Sequence, residues 1–141
     1  MRMKEPISRL VLSILLMCGT SCSLQKGKST GENAVAKFHN QFNAGQYHEI
    51  YSQTDEGFRK NTSDEQMTAL LGGVQRKLGL EKDTNQVEWH VNATTTGTQV
   101  LLTYRTKFTE GDATEQFVFF VSGNNARMFK YNIESPLFIT K

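Results

Sequence analysis

The apolar residues that follow position 32 recur every three or four residues, which is the spacing of one face of an α-helix. They are Val35, Phe38 and Phe42. Ser29 and Glu32 fit a capping box at the start of this segment, and Gly45 is a typical residue just beyond a helix end. The pattern therefore predicts an amphipathic first helix that ends before Gly45.

The same spacing predicts two further helices. A short second helix is indicated by three residues at this spacing: Tyr47, Ile50 and Tyr51. Phe58 is predicted to anchor a loop. In the third helix Ser63 is a typical N-cap, and Gly79 follows the last apolar residue. The apolar stripe of this helix comprises Met67, Leu70, Leu71, Val74 and Leu78.

From residue 87 the period of the apolar residues changes to two, which is typical of strands with one buried face. Alternating segments cover residues 87–94, 99–108, 115–121 and 127–133, and short turns rich in Gly, Asn and Asp separate them. The third segment is apolar at both parities, which predicts a strand covered on both faces. The chain is therefore predicted to be α+β, with three N-terminal helices packed on a curved four-stranded antiparallel meander.

The first 22 residues have the order of a secretory signal peptide followed by a lipidation site. Basic residues precede an apolar run at 10–17, and the small residues 19–21 lead to Cys22. The run is shorter than the ~20 residues that span a bilayer. The sequence CGTSC resembles a bacterial lipobox, which implies cleavage before Cys22 and diacylglycerol on its thiol. The alternative is an ordinary cleaved signal that leaves a soluble protein with one spare thiol.

The predicted organisation has three parts: a signal peptide at 1–21, a lipidated Cys22 with a flexible tether at 22–31, and a single α+β domain at 32–141. An acyl anchor would hold the chain on a membrane of a bacterial cell envelope. In Gram-negative lipoproteins an Asp after the lipidated Cys commonly retains the protein at the inner membrane. Ser23 occupies this position, so the resemblance implies the periplasmic side of the outer membrane if the source has one.

The charge of the mature chain argues against nucleic acid as a partner. The full sequence has 16 basic and 14 acidic side chains. Removal of residues 1–21 takes away three basic and one acidic side chain, which leaves 13 of each. With no net side-chain charge, there is no electrostatic basis for binding the phosphates of a nucleic acid.

Helices followed by long strands with tight turns resemble the cone-shaped fold of the nuclear transport factor 2-like superfamily, and more closely the small bacterial lipoproteins with this fold. The resemblance covers residues 33–134. It is carried by AVAKFHNQFNAGQYHEIY, SDEQMTALLGGVQRKLG, the strand that contains Trp89, TYRTKF, EQFVFFV and FKYNI. The superfamily includes ketosteroid isomerase, SnoaL-type cyclases and noncatalytic binding proteins, so the resemblance implies a fold and leaves the activity open.

An isomerase-like reaction would need a carboxylate base and a Tyr or protonated acid that face an apolar substrate. The nearest analogues are Glu115, Tyr104 and Tyr131, which share the apolar parity of their strands. The alternative is that Glu115 is solvated and that both tyrosines are rim residues with packed rings. No cofactor or metal is predicted, because the histidines lack metal-site spacing and no phosphate-binding loop or nucleophile motif is present.

The sequence supports three hypotheses of different classes. The first is a noncatalytic binding domain that takes a small apolar ligand in the cone or an envelope protein on the open face of the sheet. An exposed apolar patch on that face would comprise Leu101, Val118, Phe120 and Met128. The second is an isomerase, dehydratase or cyclase that acts on a small apolar substrate. The third is self-association as a homodimer.

Overall fold

Four α-helices precede four β-strands in the computed structural model, which describes residues 19–140. The helices are α1 (Gly19–Asn43), α2 (Tyr47–Ser52), α3 (Glu56–Asn61) and α4 (Asp64–Leu78). The strands are β1 (Glu81–Thr94), β2 (Gly97–Phe108), β3 (Asp112–Ser122) and β4 (Asn125–Glu134), followed by a short 3-10 helix at Pro136–Phe138. The predicted α+β order is confirmed. Residues 1–18, which make up most of the predicted signal peptide, lie outside the described residues.

The strands form one antiparallel sheet in the order β1-β2-β3-β4, which confirms the predicted meander. β3 lies between β2 and β4, but only one of its faces is buried: Phe120 on the other face is 37% exposed, so the predicted coverage of both faces is wrong. α1 packs against all four strands, so it covers one face of the sheet along its length. The core between the helices and the sheet includes Phe38, Phe42, Leu102, Phe117 and Phe119.

The described chain has four α-helices, in contrast to the three predicted. The additional helix, α3, contains Phe58, which the sequence pattern assigns to a loop. Asp55 begins this helix by accepting a hydrogen bond from the backbone N–H of Gly57 at 2.8 Å. α3 has six residues and no fully buried side chain, so it has no apolar stripe that periodicity can detect.

α4 confirms the predicted third helix. Ser63 accepts a hydrogen bond from the backbone N–H of Gln66, and the Gln66 side chain accepts one from the backbone N–H of Ser63. This reciprocal pair is a capping box, and Gly79 forms the C-cap. Leu70 is 46% exposed, whereas the rest of the predicted stripe is buried: Met67, Leu71, Val74 and Leu78.

Residues 22–31 are helical, in contrast to the flexible tether expected from their polar composition. α1 runs through them without interruption, and Gly27 and Gly31 lie against the sheet. A Cβ at Gly31 would lie 3.1 Å from a methyl carbon of Val100 and 3.2 Å from one of Leu102. The glycines therefore act as close-packing residues that bring α1 near β2, not as sources of flexibility.

The start of α1 differs from its predicted start, while its end agrees. Ser29 and Glu32 lie inside the helix, and Glu32 forms an ion pair with Lys28 one turn earlier instead of capping. The helix ends at Asn43. Gly45 follows with a φ of 69°, a left-handed conformation that glycine adopts readily.

A β-bulge in β4 changes which side chains face the core. In the pairing of β3 with β4, Val118 lies opposite Lys130 and Phe119 lies opposite Met128, so Phe129 is an extra residue. Met128 is consequently buried, with 5% exposure, and it does not belong to the outer-face patch that strict alternation predicts. Two further register shifts interrupt the pairing of β1 with β2.

Candidate functional site

Glu115 is the centre of a buried polar cluster between α1 and the sheet. Only 1% of this residue is exposed. Its Oε2 atom accepts a hydrogen bond from the Thr106 hydroxyl at 2.6 Å and lies 2.7 Å from Nε2 of His39. Its Oε1 atom accepts a hydrogen bond from the Tyr131 hydroxyl at 2.7 Å. Both carboxylate oxygens are therefore paired, as burial of a charged group requires.

Four elements supply this cluster. α1 carries His39, β2 carries Thr106, β3 carries Glu115, and β4 carries Tyr131. In the sheet register Tyr131 lies opposite Phe117, one inward position along β3 from Glu115, so its hydroxyl reaches the carboxylate. The cluster links α1 to three strands, which gives it a structural role independent of any chemistry.

The sequence identified two members of the cluster and missed two. Glu115 and Tyr131 share the inward parity of their strands, and the structure brings them together. His39 follows Phe38 at the edge of the apolar helix face, and Thr106 has the apolar parity of β2. These positions in the sequence pattern were the available signal that both side chains face the core. His and Thr are also common at protein surfaces, so neither residue type by itself predicts a buried partner of a carboxylate.

Tyr104 is buried near this cluster, and its hydroxyl is directed to a different partner. It lies opposite Glu115 in the pairing of β2 with β3, but its hydroxyl accepts a hydrogen bond from Nε2 of Gln86 at 3.2 Å. Burial raises the pKa of Tyr104, and the hydrogen bond from Gln86 opposes that shift. Tyr104 and Tyr131 therefore do not converge on Glu115 as a catalytic pair would.

The tyrosine that does bind Glu115 is held in its neutral form. Burial raises the pKa of Tyr131 well above its ordinary value, and the nearby Glu115 charge raises it further. The rings of Phe38 and Phe117 lie 5.0 Å and 5.1 Å from the Tyr131 ring, centroid to centroid. Tyr131 is therefore a packed hydrogen-bond donor whose ring contacts the aromatic core.

An open groove of about 510 Å³ lies between α1, α2 and the start of β4, and Glu115 is not among its lining residues. Its floor consists of apolar side chains of the core edge: Ala34, Phe38, Ile50, Phe119 and Met128. Its rim consists mainly of amides and cations: Asn33, Lys37, Gln41, Gln53, Asn124 and Arg127. The combination of an apolar floor with a few polar groups is typical of ligand sites.

Backbone contacts hold the segment after α2 against β4 at this groove. Thr54 forms an isolated parallel bridge with Met128, and the backbone N–H of Asp55 donates to the Met128 carbonyl at 2.8 Å. The Arg59 side chain donates to the Thr54 carbonyl at 2.8 Å. Because β4 is an edge strand, these bonds cover part of its free edge and fix the wall opposite α1.

The two charged residues of the groove lining are both cations. Lys37 on α1 and Arg127 on β4 are exposed, and no Asp or Glu lines the groove. Neither cation forms an ion pair within residues 19–140, whereas Lys28 and Lys60 do. The groove therefore has a local positive charge that the described chain does not neutralise.

The outer face of the sheet carries the predicted apolar patch with one member changed. Phe120 is 37% exposed, and Leu101 and Val118 are half-buried. Phe129 takes the place predicted for Met128, with its ring 4.8 Å from that of Phe120. The bulge at Phe129 thus places an aromatic pair on this face.

Three further features of residues 19–140 bear on function: the grouping of metal-ligating side chains, the predicted lipidation site and the apolar character of the helices. Within residues 19–140, no three His, Cys, Asp or Glu side chains are grouped so as to hold a metal ion. Cys22, the predicted lipidation site, is exposed near the start of α1. Among the described helices, none combines the length and apolar character needed to cross a membrane.

No protein-family model and no curated protein matches this chain. The α+β architecture with a four-stranded antiparallel sheet is compatible with a cone-like fold. The groove and the buried cluster are the features of the described chain that bear most directly on its function.

Proposed function

We propose that this chain is a lipid-anchored protein of the bacterial cell envelope whose domain binds a ligand without transforming it. The groove between α1 and β4 carries this proposal, because it combines an apolar floor with a polar rim whose two cations, Lys37 and Arg127, form no ion pair within residues 19–140. The fold proposed for the domain is the cone of the nuclear transport factor 2-like superfamily, with α1 covering the concave side of the sheet.

The sequence supports the envelope location. The signal-like segment and Cys22 favour an acyl anchor, and Ser23 favours the outer membrane in a Gram-negative source. Because α1 already includes Cys22, the anchor would join the domain without an intervening flexible linker. The domain would then be held close to the lipid surface.

A single substitution tests whether the groove holds a ligand. Asn33 is exposed on α1 and lines the groove, so Asn33→Trp should fill it without disturbing the core. Asn40→Trp is the matched control, since Asn40 is exposed on the same helix outside the lining. We expect mass spectrometry of protein purified from membranes to detect a bound small molecule that Asn33→Trp loses and Asn40→Trp keeps. Equal retention by both variants, or no bound molecule in the wild type, would contradict the proposal.

A second candidate is the isomerase-like enzyme, which the 2.7 Å hydrogen bond between Tyr131 and Glu115 favours. Against it, both oxygens of Glu115 are already paired with protein groups, and its Tyr131 partner is packed among aromatic rings. A base must reach the proton that it abstracts. Noncatalytic binding in the groove therefore remains the preferred function, with binding of an envelope protein or a second copy on the outer sheet face as a further alternative.

A further inference from the structure

The groove has a charge character that narrows the chemistry of its ligand. Lys37 and Arg127 lie on opposite walls, one on α1 and one on β4, and both are unpaired within residues 19–140. A cation pair with no acid in the lining attracts an anion, and charge-assisted hydrogen bonds to a carboxylate or phosphate are the strong ones. A neutral or cationic ligand would make no charge-assisted hydrogen bonds of this kind with the two cations.

The apolar floor of the groove limits the class of ligand further. Phe38, Ile50 and Met128 are core residues, and the groove exposes their edges together with two small residues, Ala34 and Ala126. The volume of about 510 Å³ falls within the range of sites for small molecules. Small residues leave room along the floor, so an extended apolar chain can lie there while polar groups remain at the rim.

The position of the groove relative to Cys22 indicates where such a ligand is found. Thr30, the lining residue nearest the start of α1, follows Cys22 by eight positions. At 1.5 Å per residue, the groove begins about 12 Å along the helix from the proposed anchor. A lipidated chain would therefore hold the groove beside a membrane, where single-chain amphiphiles are abundant.

We infer that the groove binds an amphiphile with one apolar chain and an acidic head group. The chain lies over Phe38, Ile50 and Met128, and the carboxylate or phosphate monoester is bound by Lys37 and Arg127. This inference rests on the proposed function of the groove and adds the class of ligand. Its two sources are a free fatty acid and a lysophosphatidate, which share one apolar chain and an anionic group and differ in the head group.

Native mass spectrometry of the mature lipoprotein in nonionic detergent tests the inference. The probes are oleate, oleoyl lysophosphatidate and oleyl alcohol, which has the same chain and no charge. We expect one bound molecule of either anion, and at least about tenfold weaker binding of the alcohol. The anion that binds more tightly identifies the source.

Charge-matched variants separate a specific site from general attraction. Lys37→Gln/Arg127→Gln should weaken anion binding by about tenfold and leave alcohol binding unchanged. Lys82→Gln/Lys130→Gln removes the same charge from exposed positions outside the groove, so binding should match the wild type. Equal binding of oleate and oleyl alcohol, or equal losses in the two double variants, would overturn the inference.

The outcomes also separate this inference from the proposed function. If none of the three probes binds but Asn33→Trp still removes a different small molecule, the ligand class is wrong and the groove remains a binding site. If no probe binds and no molecule is retained from the membrane, both proposals fail.

Discussion

Glu115 shows most directly how single residues determine this interior. A buried carboxylate is tolerated because Thr106, Tyr131 and His39 all contact its two oxygens. Removal of one partner leaves part of the charge unsatisfied, while the rest of the cluster holds the carboxylate in place. Stability should therefore respond strongly to substitutions that are small in volume.

The hydroxyl of Tyr131 makes a pH-dependent contribution that can be measured. Because its pKa is raised in the folded protein, the folded state retains the phenolic proton more tightly than the unfolded chain does. Above pH ~10 the unfolded state loses that proton first, so the free energy of unfolding falls as pH rises. Urea unfolding at pH 8 and pH 11 should show a smaller alkaline decrease for Tyr131→Phe than for the wild type.

The same variant should also be less stable at pH 8 by about 1–3 kcal/mol, because Oε1 of Glu115 loses its donor. Tyr51→Phe is a suitable control, since the Tyr51 hydroxyl donates to the backbone carbonyl of Thr62 at 3.0 Å and not to Glu115. An alkaline decrease in Tyr131→Phe as steep as in the wild type would show that this tyrosine does not control the pH response.

At the scale of the elements, the glycines of α1 show why the composition of residues 22–31 predicted a flexible tether although the segment is helical. A polar segment with Gly27 and Gly31 has the composition of a flexible linker. The same glycines allow a helix to approach a strand closely, and only the position of β2 distinguishes these roles. By contrast α4 was predictable, because its cap, its apolar stripe and its C-terminal glycine are all local signals.

A pair of glycine substitutions tests the packed helix. Gly73 lies inside α4, where an added Cβ would meet only the flexible Arg76 side chain at 3.7 Å, so Gly73→Ala should stabilise by up to ~1 kcal/mol through helix propensity. Gly31→Ala gains the same propensity but crowds Val100 and Leu102, and overpacking costs about 1–3 kcal/mol. Urea midpoints should therefore be lower for Gly31→Ala than for Gly73→Ala. Equal midpoints would indicate that residue 31 does not pack on the sheet.

For the molecule as a whole, the sequence predicted the order of the elements better than the facing of the side chains. Alternation gave four strands in a meander, since each turn is encoded locally. The bulge at Phe129 depends on the pairing of β4 with β3, so alternation alone placed Met128 on the wrong face. The groove was likewise unpredictable, because its walls meet only after α1, α2 and β4 have packed together.

The proposed attachment of the whole molecule to a membrane depends on Cys22. We expect labelled palmitate to be incorporated into the wild type and lost in Cys22→Ala, because the resemblance to a lipobox assigns the acylated thiol to this residue. Ser23→Asp is the control: it should keep the label and, in a Gram-negative host, move the protein to the inner membrane. Since α1 includes Cys22, a domain anchored there would have its groove begin about 12 Å along the helix from the acylated residue, which would give the groove access to membrane amphiphiles. Label that persists undiminished in Cys22→Ala would place the anchor elsewhere and remove that access.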